Sequence, residues 1–190
     1  MLASITPLGE RGRRQHWPVT VAFLLAGATL AGAAFGAVLA LGGTALPLGG
    51  TARLALLAAV VGAGLALELA GRLPTHLRQV DERDLRRYRG WVYGLSFGAQ
   101  LGSGVATVIT TSTVYATLAA ALLAPSVAWG AAIGAVFGSL RGLTPLLSAR
   151  VDSPGALARF HRRFRALDRP AARATLASQV ALLAAVLWLA

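Results

Sequence analysis

The chain has 190 residues, 56% of them apolar and only 13% charged, and its mean hydropathy is +0.64; a soluble domain averages about 25% charged, so an ordinary soluble fold is excluded. With no cysteine, disulfides, thiolate metal sites and thiol redox chemistry by this chain alone are excluded too. The net charge of +11 comes from 18 basic residues, all Arg, set in blocks between apolar runs, a distribution of the positive-inside kind and not the contiguous basic face that nucleic-acid binding needs.

The elements follow from a need for about 20 mostly apolar residues per membrane helix. The first span is predicted over residues 17–41. Its apolar run, Val19 to Leu41, exceeds the roughly 7–15 residues of a cleavable signal core, so it reads as a span that stays. A neutral turn with Pro47 leads to a second span over 54–70. A basic loop over 72–89 holds six Arg against Asp81, Glu82 and Asp84. The third apolar stretch, 91–123, is followed by Ala124-Pro125-Ser126 and a fourth span over 127–147. A second basic loop, 150–173, holds seven Arg, and a fifth span is expected over 174–190. Within that second loop Ser153-Pro154 supplies a helix start. Leu157, Phe160, Phe164 and Leu167 then share one face among arginines, and Pro170 is expected to end this surface helix, which would lie on anionic lipid.

Sixteen of the 18 Arg fall in the N-terminal tail and the two basic loops, leaving only Arg53 on the other side and Arg141 within a span. The expected fold is therefore an all-α polytopic bundle of about five transmembrane helices in a bacterial cytoplasmic membrane, N-terminus inside and C-terminus outside. Trp17 and Trp91 at inner helix ends, and Trp129 and Trp188 at outer ones, fit an interfacial aromatic belt. Thirty-three residues of helix would measure about 50 Å against a core of about 30 Å. The third stretch is thus either tilted and protruding or broken near Gly102-Ser103-Gly104, and the break is the expectation favoured here.

Three features could carry function. Ser96, Gln100, Ser103, Thr107 and Thr110 (or Thr111) recur at helical spacing along the third stretch, either lining a substrate path or hydrogen-bonding between helices. Gly98 and Gly102, the series Gly130, Gly134, Gly138 and Gly142, and the small row Ala28, Gly32, Gly36 and Ala40 read as close helix packing, within one chain or in a homo-oligomer. Glu68 and Arg141 are ionisable residues inside spans, which by default mark function. They either pair with each other, or Glu68 pairs with Arg72 while Arg141 snorkels. His16, His76 and His161 lack metal-ligand spacing, and no catalytic constellation is present. No enzyme activity, metal or cofactor is expected.

The stretch Tyr88-Arg89-Gly90-Trp91-Val92-Tyr93-Gly94-Leu95-Ser96-Phe97-Gly98-Ala99-Gln100-Leu101-Gly102 resembles the lead-in to the second redox helix of the CcdA and DsbD transmembrane proteins, within a wider LysE-like set. Trp129 to Ser148, with its Leu-Thr-Pro-Leu-Leu end, resembles the following helix. Val19 to Leu41 and Leu54 to Arg72 resemble two helices of the family's first half. The family's first helix has no counterpart here, and Ser103-Gly104 stands where its second Pro-Cys would fall. The resemblance implies a scaffold of helices broken around a central site, with hydroxyls and Gln100 in place of thiols. The function expected is binding or transport of a small polar solute or ion. The alternatives are a non-transporting scaffold or accessory subunit, and a cysteine-free relative of thiol-redox carriers working with a membrane partner.

Overall fold

The computed structural model describes residues 5–74, 87–105, 109 and 111–189. A short helix α1 (Pro7–Gly12) precedes the long helices α2 (Trp17–Thr44) and α3 (Gly50–Leu69). Helices α4 (Gly90–Ser103), α5 (Thr113–Leu122) and α6 (Val127–Gly142) follow, then a 3-10 helix (Thr144–Ser148) and α7 (Pro154–Leu189). The fold is all-helical among the described residues. Among the described residues, four helical segments are long and apolar enough to cross a membrane: Trp17–Thr44, Gly50–Leu69, Val127–Ser148 and Pro154–Leu189. Over the third apolar stretch the chain forms α4 and α5, which at 14 and 10 residues measure about 21 and 15 Å.

Helix α2 is the axis of the bundle, and glycine makes it so. Its buried face is Thr20, Leu24, Gly27, Ala28, Gly32, Gly36 and Ala40, so two other helices can approach at backbone distance. Along one side α4 runs parallel to α2: a methyl added at Gly94, Gly98 or Gly102 would meet the carbonyls of Thr20, Leu24 and Ala28 in turn, each under 3.0 Å. Along the other, α6 runs antiparallel: Gly130, Gly134 and Gly138 meet the carbonyls of Gly36, Gly32 and Ala28, again under 3.0 Å. Contact this close replaces side-chain interdigitation with dispersion and Cα–H···O contacts, the mode by which small residues join helices in a solvent as apolar as themselves. Thr29 and Ser139 add a hydroxyl pair across α2 and α6 at 2.9 Å.

Helix α7 packs on α3 and differs from the sequence-based expectation. Ser153 does start it, accepting from the Ala156 N–H at 3.3 Å. Pro170 does not end it. The helix runs unbroken from Pro154 to Leu189 with Pro170 inside, so the supposed loop over 150–173 is helical from Pro154 and continuous with the expected fifth span. The residues after Pro170 explain this: Ala171, Ala172, Ala174 and Ala177 are the strongest helix formers. A proline forfeits one backbone bond, while a break entering an apolar phase would forfeit several.

The basic loop expected over 72–89 falls, for residues 75–86, outside the described residues, as do Thr107 and Thr110 of the polar stripe and His76.

Candidate functional site

The arrangement with most chemical content lies where the end of α3, the start of α5 and the middle of α7 meet. Helix α4 ends on Gly104, whose φ of 73° is left-handed and suits glycine. A new helix starts at Thr113, and its first N–H groups have no partner within the helix. The Glu68 carboxylate supplies one, accepting from the Ser112 N–H at 2.7 Å. It also accepts from the Gln179 side-chain amide at 3.0 Å. The same amide reaches Thr113 Oγ1 at 3.1 Å, and its oxygen accepts from Ser112 Oγ at 2.6 Å. Both amide ends of Gln179 are therefore fixed, and it is only 2% exposed. Gly64, one turn before Glu68, allows this: a methyl there would lie 3.0 Å from the Ser112 Cβ. The N-terminus of α5 favours the charged form of this carboxylate, and the cluster offers a polar group both the carboxylate and the Gln179 amide.

Of the residues expected to form the site, Ser96 is exposed, on the side of α4 opposite the buried glycine and aromatic face. Gln100 is half-buried on the same side, and Ser103 Oγ donates to the Gln100 carbonyl of its own helix at 2.9 Å. Thr111 is half-buried beside Ser112. Glu68 is in the cluster, whereas the Arg141 guanidinium lies over the Phe137 ring, 5.3 Å from its centroid. Gln179 and Ser112 escaped the sequence reading. The signal for Gln179 is that it interrupts Leu176, Leu183 and Val186 at steps of three, four and three, the face that α7 buries.

Two further polar groups organise the ends of the bundle. At the basic end Glu10, 0% exposed, accepts from Thr20 Oγ1 at 2.8 Å, from the Tyr93 hydroxyl and from Arg13. Burial works against the Arg13 charge, but the Glu10 carboxylate outweighs it and raises the guanidinium above its ordinary value. Gln15 caps α4 by accepting from the Gly90 N–H at 3.0 Å, and Ser148 Oγ donates to the Ile5 carbonyl at 3.2 Å. Residues 5–16 thus strap α2, α4 and the 3-10 helix together. At the opposite end Arg53 donates to the carbonyls of Leu48 at 3.2 Å, Ala124 at 2.9 Å and Gly43 at 3.2 Å. It neutralises the C-terminal ends of α2 and α5 at once.

No group of three His, Cys, Asp or Glu that could hold a metal ion occurs among the described residues. The chain matches no family model, no curated protein and no solved structure.

Proposed function

We propose that this chain is a multi-pass protein of a bacterial cytoplasmic membrane that binds or moves a small polar solute or ion at the Glu68–Ser112–Gln179 cluster. The observation that carries this reading is a carboxylate in the last turn of a largely apolar helix, held among the described residues by neutral donors from two other elements, at the interruption of the third apolar stretch. In this reading α4 and α5 form one discontinuous fifth crossing, the N-terminus and basic loops face the cytoplasm, and the architecture is CcdA- or LysE-like. Interrupted helices are maintained in membranes where their freed backbone groups serve a cavity or site. Glu68 would exchange the Ser112 N–H and the Gln179 amide for the solute or a proton, with Thr113 and Thr111 beside it.

The test is uptake by proteoliposomes over a panel of cations and small polar solutes, with a proton-gradient arm. Glu68→Gln and Gln179→Leu should each abolish the flux of whatever the wild type carries while leaving the protein folded and inserted. Wild-type vesicles that carry nothing across the panel, or a flux indifferent to both substitutions, would overturn the reading.

One observation favours a scaffold or accessory subunit instead. Ser96 is exposed and Gln100 half-buried on the side of α4 away from its glycine face, where they could hydrogen-bond a partner helix or a second copy. Ser96→Leu with Gln100→Leu would then break an assembly without touching any flux.

A further inference from the structure

At the basic end of the bundle a cleft of about 490 Å³ opens between the 3-10 helix, the link after it and the first three turns of α7. Its cationic wall is Arg150, Arg159 and Arg163, and its apolar wall is Leu146, Leu147 and Phe160. Arg159 and Arg163 are one helical turn apart, and the Arg159 guanidinium folds back to within 3.5 Å of where a methyl on Gly155 would lie, at the start of α7. Among the described residues the ion pair formed is Arg13 with Glu10, and none of the three cleft arginines is paired with a carboxylate of those residues. Asp152, the acidic residue of the link, does not line the cleft. Leu146 and Leu147, by contrast, are 47% and 61% exposed beside these charges.

We infer that this cleft is a discrete binding site for one anionic glycerophospholipid. The phosphodiester would sit among Arg150, Arg159 and Arg163, with an acyl chain along Leu146, Leu147 and Phe160. Charge complementarity selects an anion: three arginines line one cleft with no carboxylate of the described residues among its lining, beside the positive end of a 36-residue helix. The apolar wall selects an amphiphile. A free phosphate would satisfy the arginines and leave two exposed leucines unexplained, whereas a lipid satisfies both walls at the depth where headgroup and acyl chain meet. The inference rests on the chain being membrane-embedded, as its four long apolar helices indicate, and not on its carrying a solute.

Native mass spectrometry of the full chain in non-ionic detergent tests this, with phosphatidylglycerol, phosphatidylcholine of the same acyl chains, and inorganic phosphate as separate probes. The wild type should retain one phosphatidylglycerol, and phosphatidylcholine should be stripped. Each Arg→Gln at 150, 159 or 163 should weaken retention about fivefold, and the triple variant about a hundredfold. The control R162Q/R165Q/R169Q removes the same charge elsewhere on α7 and should retain the lipid. The variant L146S/L147S should weaken lipid binding while leaving any phosphate binding unchanged. Equal loss in control and cleft variants would mean a diffuse basic surface, and would overturn the site. So would phosphate displacing the lipid at equal concentration, or indifference between the two headgroups. If the triple variant fails to fold, the three single variants decide by the same fivefold criterion. A protein that carries no solute yet shows this selectivity leaves the lipid site standing.

Discussion

Glu10→Ala should be the most damaging single substitution at the basic end of the bundle. The carboxylate is fully buried and holds three donors on three elements: Arg13 from the end of α1, Thr20 from α2 and Tyr93 from α4. Removing one partner of a buried ion pair costs roughly 3–5 kcal/mol, and each buried hydroxyl left without an acceptor costs about 1–3 kcal/mol. Arg13 keeps 22% of its side-chain surface exposed and can turn partly to water, which discounts the first figure. The buried Thr20 hydroxyl keeps a long bond to the His16 carbonyl at 3.4 Å, whereas the buried Tyr93 hydroxyl loses the acceptor it has in Glu10. The expected loss is about 3–4 kcal/mol in equilibrium unfolding from mixed micelles. Tyr93→Phe alone should cost about 1–2 kcal/mol. Because both changes delete the same hydrogen bond, the double variant should fall short of additivity by about 1 kcal/mol. Hydrogen exchange should rise across residues 5–16 first, since that strap has few other anchors. A Glu10→Ala protein within 1 kcal/mol of wild type, or an additive cycle with Tyr93→Phe, would refute the network account.

Gly138→Val places a branched side chain against the Ala28 carbonyl, under 3.0 Å from its first carbon. It should separate α6 from α2, giving a loss of more than about 3 kcal/mol or failure to insert stably, read by thermal aggregation in detergent. Arg53→Gln removes a cation bonded to carbonyls of three chain segments and should cost about 2–3 kcal/mol in the same unfolding assay. Arg53→Lys should recover less than half of that, because an ammonium cannot span the segments as a guanidinium does. Pro170→Ala should stabilise α7 by about 1–2 kcal/mol, restoring one backbone bond and relieving the clash with the previous turn, less the entropy that proline removes from the unfolded chain. A lower melting point for that variant would mean that a kink at Pro170 is required for α7 to lie on α3.

How much of this was legible before the structure depended on whether a residue's meaning is set by its own helix or by another. The small-residue rows on α2 and α6 carry their information locally: spacing of four over several turns defines a face that only another backbone can fill. Apolar length likewise located α2, α3, the Val127–Ser148 segment and the second half of α7. Pro170 misled because a local breaker competes with the propensity of the alanines after it. Residues 5–16 read only as a cationic tail, since nothing local marks Glu10 as buried: its partners Thr20 and Tyr93 are 10 and 83 positions away.

The same distinction bears on the interruption of the third apolar stretch, between the end of α4 and the start of α5. A helix that stops and restarts leaves N–H and C=O groups that must be met in an apolar phase. Residues on the stopping helix are poorly placed to meet them. Ser103 donates to the Gln100 carbonyl of its own helix, and Ser96 is exposed on the far side of α4. The groups that can reach the restarted helix stand on neighbours facing the gap, and those are Glu68 on α3 and Gln179 on α7. Glu68 meets the Ser112 N–H directly, and Gln179 joins the side chains of Glu68, Ser112 and Thr113; polar groups at such depth are costly on the lipid face. It follows that Glu68 and Gln179 should be energetically coupled through Ser112 although they lie on different helices. Replacing either alone should loosen the first turn of α5, with the bundle still folded, nearly as much as replacing both. An additive double variant, Glu68→Gln with Gln179→Leu, would mean that α5 is started by its own sequence and owes nothing to the cluster.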